Sequence, residues 1–364
     1  MAQGFICAML LLLHRPVQVS KRILAFILLT FLILSFKILL HTLGLWQLAY
    51  WRYLPLAFDL LIQPLFYIYA LLLTQKHEHL LRKYWFHFIP TMLFFVHALW
   101  VYVVVQQTTD IHQKDLLAES LYYNRVKTIE DILSVISGGI YWFLSFRRIQ
   151  AYKQWLDTHI ADAGYPSYNW LRNVLIGLSI MVVLLMINIS LDVFFNLNAK
   201  FFIKWQFFYF YLAVLVYYLG FAGYQQKDFE ISFLSEKRSA ISLDKQQITA
   251  IKDKLLRAMN QEKVFLDAEL NLQTLAKKIG VSETALSVVI NNEFQKNFRN
   301  FINEQRIEEV KRKLNNTNYK HLSILGIALE SGFNSEASFY RVFKTVTGQS
   351  PKDFMQKNNS QNTF

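Results

Sequence analysis

Three ionisable side chains stand where water is scarce. Lys37 lies in RILAFILLTFLILSFKILLHTL, Asp59 in YLPLAFDLLIQPLFYIYALLLT and Asp192 in LRNVLIGLSIMVVLLMINISLDVFF. A charge at the centre of a hydrocarbon layer costs at least about 2.5–3.5 kcal/mol, so each needs a partner or a task. Counted from the ends of their runs, all three fall at a similar depth, in the outer third. Opposite charges at one depth can pair with each other or meet the charge of a ligand. With Asn188 and His97 they define a candidate polar pocket open to the outer side. The competing reading is a structural ion pair that only fixes helix packing, or side chains that snorkel toward the headgroups.

No catalytic set accompanies these groups. His77 and His79 in HEH lack the spacing of a zinc site on a helix and sit among basic loop residues. Gly138 and Gly139 interrupt an apolar run, where small residues serve helix packing rather than phosphate binding. Neither a phosphate loop nor a nucleophile motif occurs. Cys7 is the single cysteine, which excludes an intramolecular disulfide. The reading is a protein that is not an enzyme, with no metal and no cofactor.

The elements that carry Lys37, Asp59 and Asp192 are long and apolar. Of the 364 residues, 54% are hydrophobic and 18% charged. Six runs stand out, over 22–43, 53–74, 84–105, 132–146, 171–195 and 201–224. A helix needs about 20 residues to cross about 30 Å of hydrocarbon, and five of the runs have them. The 132–146 run is short and must borrow from its flanks. Met1–Leu13 would reach only about 20 Å as a helix, so six or seven spans are both open. The opening residues lack the basic start and small-residue cleavage site of a removable signal peptide.

Charge divides the chain. Residues 1–224 hold 17 Lys/Arg against 10 Asp/Glu, a net of +7; residues 225–364 hold 21 against 16, a net of +5. These make up the +12 of the whole chain. If HRPVQVSKR lies inside, the inner loops carry ten Lys/Arg, among them Arg147, Arg148 and Lys153. The outer loops then carry five: Arg52, Lys114, Arg125, Lys127 and Lys200. That bias follows the positive-inside rule and places the tail in the cytoplasm for either span count.

From Gln225 the sequence turns polar and reads as a linker, followed by a helix capped by Asp244 with Ile248, Ile251, Leu255 and Met259 on one face. Two segments then share one construction. In LQTLAKKIGVSETALSVVIN, Ala276 is a small residue at a helix crossing and Gly280 a turn glycine. Leu275, Ile279, Val281, Leu286 and Val289 are anchors, and Ser282 caps the second helix. Ala328 and Gly332 repeat the pattern 52 residues on, in ILGIALESGFNSEASFYRVFKTVTGQSP. There the anchors are Ile327, Phe333, Phe339, Val342 and Phe343, and polar Ser331 fills the slot of Ile279. Each segment is a helix-turn-helix pattern. FRNFINEQRIEEVKRKLNN joins them as a helix of about 26 Å.

LAKKIGVSETALSVVINNEF, FINEQRIEEVKRKL and IALESGFNSEASFYRVFKTVTGQSP together resemble the DNA-binding domain of AraC-family transcription regulators, over roughly Lys263–Gln356. The whole layout resembles the membrane-bound type of that family. The resemblance implies two recognition helices, about Glu283–Asn291 and Glu336–Lys344, that enter successive major-groove segments on one face of DNA. It places Thr284, Ser287, Val288 and Asn291 toward bases from the first helix, and Glu336, Ala337 and Arg341 from the second. Arg341 can pair bidentately with guanine. Val288 stands where a long polar residue is usual, and Gln295 where a glycine is usual. Lys277, Lys296, Arg299 and Lys344 suit phosphates, which position without specifying.

The expectation is an all-α protein. A transmembrane helix bundle (1–224) leads through a linker and connecting helix (225–262) to an AraC-type double helix-turn-helix domain (263–357) and a short tail (358–364). It would be a multi-pass protein of the bacterial inner membrane whose cytoplasmic domain binds specific double-stranded DNA. Its other expected partners are the lipid bilayer, a small-molecule signal at the bundle and a second copy in a homodimer. The alternative is a receptor or transport bundle whose helical tail binds a protein partner.

Overall fold

The computed structural model describes residues 1–15, 18–74, 80–161, 166–195, 203–226 and 243–361. The side chains of residues 41, 80–81, 166–167, 189, 192–195, 203–206 and 357–361 are not among those described. His77 and His79, the Asp192 side chain and most of the linker therefore lie outside the described residues. The rest is helical, apart from irregular connections and one isolated antiparallel bridge, Ile160 with Asn271. The chain forms two compact units: Met1–Gln150 with Ser167–Ser235, and Ala151–Pro166 with Glu236–Phe364.

The helices of the first unit are α1 (Ala2–Leu13), α2 (Val19–Thr42), α3 (Ile62–Thr74), α4 (Leu80–Tyr84), α5 (Ile89–Val105), α6 (Ile111–Ser120), the first part of α7 (Tyr123–His159), α8 (Pro166–Phe195) and α9 (Ile203–Gln225). α2 is its centre, with Leu24, Ala25, Ile27 and Leu28 fully buried. Close approach there depends on small residues. A Cβ on Gly220 would lie 2.5 Å from Cys7 Cβ, and one on Gly223 2.2 Å from Leu24 Cδ2. Among the described residues, five helices are long and apolar enough to cross a membrane, and α1 and α3 are shorter apolar helices. Several present large apolar side chains outward, such as Leu93, Val96 and Trp100 on α5 and Ile132, Ile136 and Ile140 on α7.

Two runs differ from their expected extents. The 53–74 run is helical only from Ile62, about 20 Å of helix. Pro55 biases Leu54 away from helical torsions, and Tyr53 has φ 63°, so residues 53–61 are irregular and Asp59 belongs to a connection. The 132–146 run does borrow from its flanks: α7 has 37 residues, about 55 Å. Lys127, counted above among the outer-loop charges, is near its start.

The second unit contains α10 (Lys245–Asn260), α11 (Leu272–Ile279), α12 (Glu283–Phe294), α13 (Phe298–Leu314), α14 (Ile324–Glu330), α15 (Glu336–Thr347) and α16 (Pro351–Gln361). Side-chain caps fix where most of them begin. Asp244 and Asn271 form capping boxes with Gln247 and Thr274, and Ser282, Asn297, Ser323 and Ser335 each accept a backbone N–H. There are two apolar cores, and α13 is a wall of both. Phe298, Phe301 and Ile302 join α10, α11 and α12, whereas Ile307 and Val310 join Ile327, Phe333, Phe339 and Phe343. Each such side chain contributes about 1.5–3 kcal/mol by leaving water.

The sequence repeat is a structural repeat. After each turn glycine the next N–H returns to the carbonyl of the small residue, Val281 to Ala276 at 3.0 Å and Phe333 to Ala328 at 3.2 Å. Ser331 is fully buried, yet its hydroxyl donates to the Ile327 carbonyl at 2.7 Å, so a polar residue is tolerated in that anchor slot. The glycines differ in what they must do. Gly280 has φ 67° and open space around a would-be Cβ. Gly332 has φ 94°, and a Cβ there would lie 2.4 Å from the Phe265 carbonyl oxygen and 2.9 Å from Arg306 Nε. Gly280→Ala is therefore expected to cost about 1–2 kcal/mol of backbone strain alone. Gly332→Ala adds a steric clash and should cost about 3 kcal/mol or more. Hydrogen exchange of α13 amides in the full chain measures both, and equal costs would contradict the assignment.

Candidate nucleic-acid interface

α15 carries the better-exposed half of the interface. Ser338, Phe339, Val342 and Phe343 point inward and leave Glu336, Ala337, Arg341 and Lys344 exposed along the opposite face. Tyr340 lies on that face too, 38% exposed, and is not among the residues that the family resemblance places toward bases. Its spacing from Ala337 and Lys344 is the signal that could have found it. On α12 the inward side is Ala285, Leu286, Val289 and Ile290; Thr284, Ser287 and Val288 are half-buried and Asn291 is exposed. The Asn291 amide donates to Ser287 Oγ at 3.4 Å. Val288 gives this surface an apolar spot.

The residues expected at phosphates divide. Lys277 and Lys344 are exposed. Lys296 is held by Glu304, and Arg299 Nη1 sits 2.6 Å from Asp157 Oδ1. The two cations that flank the start of the joining helix are thus engaged by carboxylates of the protein itself.

What sets one helix-turn-helix against the other is Arg306, in the middle of α13 and 1% exposed. Its Nε donates to the Phe265 carbonyl at 2.8 Å and its Nη2 to the Asp267 carbonyl at 2.7 Å, both just before α11. Its guanidinium also lies 5.9 Å from the centre of the Phe333 ring, just after the second turn glycine. Asn334 adds a bond from Nδ2 to the Ala268 carbonyl at 3.1 Å. One turn farther along α13, Glu309 accepts from Arg312 at 2.6 and 2.8 Å and lies 3.4 Å from Lys263. The Arg312 hydrogen bonds are the main reason that the Glu309 carboxyl is held below its usual range, against the effect of burial. Its contribution to stability is therefore complete above the ordinary carboxylate range and lost as pH falls through the lowered value.

Two of the three ionisable residues singled out in the apolar runs, Lys37 and Asp59, also come together. Lys37 Nζ is 3.6 Å from Asp59 Oδ2, and Lys127 Nζ is 2.5 Å from the same oxygen. Lys127 also pairs with Glu130 at 2.8 Å and Asp131 at 3.0 Å. Lys37, His97, Lys127 and Glu130 line a cavity of about 20 Å³, room for a water-sized guest. Glu130 is 2% exposed, and its Oε1 has no hydrogen-bond partner among the described residues. His97 Nε2 is 3.1 Å from the Leu121 carbonyl. Asn188 is turned to its own helix, donating to the Leu184 carbonyl at 2.8 Å, and is not among the residues lining this cavity. Lys127 and Glu130 were missed because hydropathy alone starts α7 nine residues late, at Ile132.

Residues 275–357 match the helix-turn-helix domain family. Uncharacterized HTH-type transcriptional regulators of Staphylococcus aureus strains MSSA476 and N315 are each 35% identical to this chain over 102 residues. That stretch is 28% of this chain and 13% of each relative, so the chain spans a small part of the proteins it matches. No solved structure matches the chain. The C-terminal part thus carries a helix-turn-helix domain, similar to that of transcription regulators.

Arg306→Met would leave the buried Phe265 carbonyl without its Arg306 donor and the Asp267 carbonyl with only the Leu270 N–H, and is expected to destabilise the second unit by about 1–3 kcal/mol. Hydrogen exchange at α11 and α13 reads this; an unchanged exchange pattern would show that the clasp is dispensable. Lowering pH below the carboxylate range should loosen α13 around Glu309, and Glu309→Gln should remove that local pH dependence.

Proposed function

We propose that the protein is a membrane-anchored transcription regulator whose AraC-type tail binds duplex DNA through two helix-turn-helix units. The observation that carries this reading is the pair of like-built turns fixed to one joining helix, each with a capped helix that offers polar side chains outward. Similarity to HTH-type regulators supports it independently. An N–H···O or guanidinium contact to base edges supplies sequence preference, and the lysines supply affinity. Arg341 is the chief base reader, with Tyr340 beside it; Lys277 and Lys344 take phosphates.

Anchoring rests on the long apolar helices with outward apolar side chains, and on the positive bias of the loops placed inside. A third observation supports the orientation. The connection between α7 and α8 belongs to the same compact unit as the tail. A unit that holds both would keep them on one side of a membrane, which agrees with the side to which Arg147, Arg148 and Lys153 assign that loop. The cluster of Lys37, Asp59, Lys127, Glu130 and His97 is the place where the bundle would sense a small polar or charged signal, and a homodimer would suit a two-part operator.

The test uses the full chain in nanodiscs with a pool of random duplex DNA. Binding should weaken by about 10³–10⁵ between 50 and 200 mM salt if some 6–10 phosphates are neutralised. Against a sequence selected from that pool, Arg341→Ala should lose about 5- to 100-fold in preference over random DNA. No binding at 50 mM salt would favour a tail that takes a protein partner.

A further inference from the structure

We infer that the end of α7 is a built-in inhibitory clamp on the DNA-binding unit, with Asp157 holding Arg299 in place of a DNA phosphate; this rests on the proposed DNA binding. The chain after α7 is docked by three independent contacts. Ile160 makes an antiparallel bridge with Asn271, the N-cap of α11. Ala161 is fully buried in the core formed by α10 to α13. Asn303, 4% exposed on α13, donates its Nδ2 to the Ala161 carbonyl at 3.0 Å. This seat brings the Asp157 carboxylate to 2.6 Å from Arg299 Nη1.

Arg299 is the second residue of α13, a helix of 17 residues separated from the end of the recognition helix α12 by three residues. A helix N-terminus with an arginine in its first turn attracts anions through aligned N–H groups and a charged fork. The anion already beside Arg299 is the protein's own carboxylate. A phosphate at the foot of the recognition helix needs the same guanidinium, so the docked segment and DNA compete for it.

The pair is suited to a switch rather than to holding the fold. Asp157 and Arg299 keep 34% and 15% of their side-chain surface exposed, and partly exposed pairs contribute little to stability. The seat itself is fixed by Ala161 and Asn303, so removing the charge on Asp157 leaves the docking surface in place. Residues 123–150 of the same unbroken helix belong to the other unit and include Lys127 and Glu130.

The test compares the full chain with Asp157→Asn, Arg299→Gln and the double variant in nanodiscs, on random 40-base-pair duplex DNA at several salt concentrations. Asp157→Asn should bind about 3- to 10-fold tighter, and its log–log salt slope should steepen by about 0.9, the signature of one more phosphate contact. The double variant should bind like Arg299→Gln alone. An unchanged or weakened Asp157→Asn with the wild-type slope overturns the clamp while leaving DNA binding intact. An Asp157→Asn chain that fails to fold makes the contact structural and overturns it too. If no variant and not even the wild type binds DNA, the proposed function falls, and the clamp with it. A readout without DNA separates these cases: amides at the start of α13 should exchange faster in Asp157→Asn.

Discussion

A guanidinium taken out of water costs several kcal/mol unless its donors find acceptors, and Arg306 meets that demand only in one arrangement of the chain. The Phe265 and Asp267 carbonyls come from the entry to the first helix-turn-helix, and the Phe333 ring from the turn of the second. The arginine thus sees both halves at once. Gly332 is glycine because the Phe265 carbonyl and Arg306 leave no room for a Cβ. The two cores share α13 as a wall, but a shared wall alone would let each half rock about it. The clasp is what turns two small helical clusters into one head with a set spacing.

Much of that head is legible in the sequence because it is local chemistry. Caps at Asp244, Ser282 and Ser350, turn glycines at 280 and 332 and the anchor residues all act within a few positions of themselves, and the backbone follows them. The deviation at Ser331 is resolved locally as well, by a hydroxyl that bonds one turn back. What hydropathy does not reveal is where an apolar run stops being a helix or fails to start. Pro55 and the torsion of Tyr53 keep 53–61 irregular, and the polar side chains of Lys127 and Glu130 hide the first turns of α7 from hydropathy, although the fold gives Lys127 carboxylates to pair with.

Contacts across long sequence distance are the other blind spot. Nothing around Asp157 or Ala161 announces that they meet Arg299 and Asn303, 142 residues away in each case. Arg299 and Lys296 read as phosphate ligands from their position, yet the folded chain provides each with a carboxylate. Position on a helix gives the direction of a side chain; only the tertiary fold says what is waiting there. The same holds for the Lys37–Asp59 pair, whose third member, Lys127, is 68 residues beyond Asp59.

The proposed function requires the joined helix-turn-helix units to read two successive major-groove segments from one face of the duplex. Hydroxyl-radical footprinting of the full chain in nanodiscs, on a bound sequence chosen by selection, addresses it directly. The expected result is two protected segments about 10 base pairs apart, centred on the same face. A single protected segment, or two offset by about half a helical turn onto opposite faces, would contradict it.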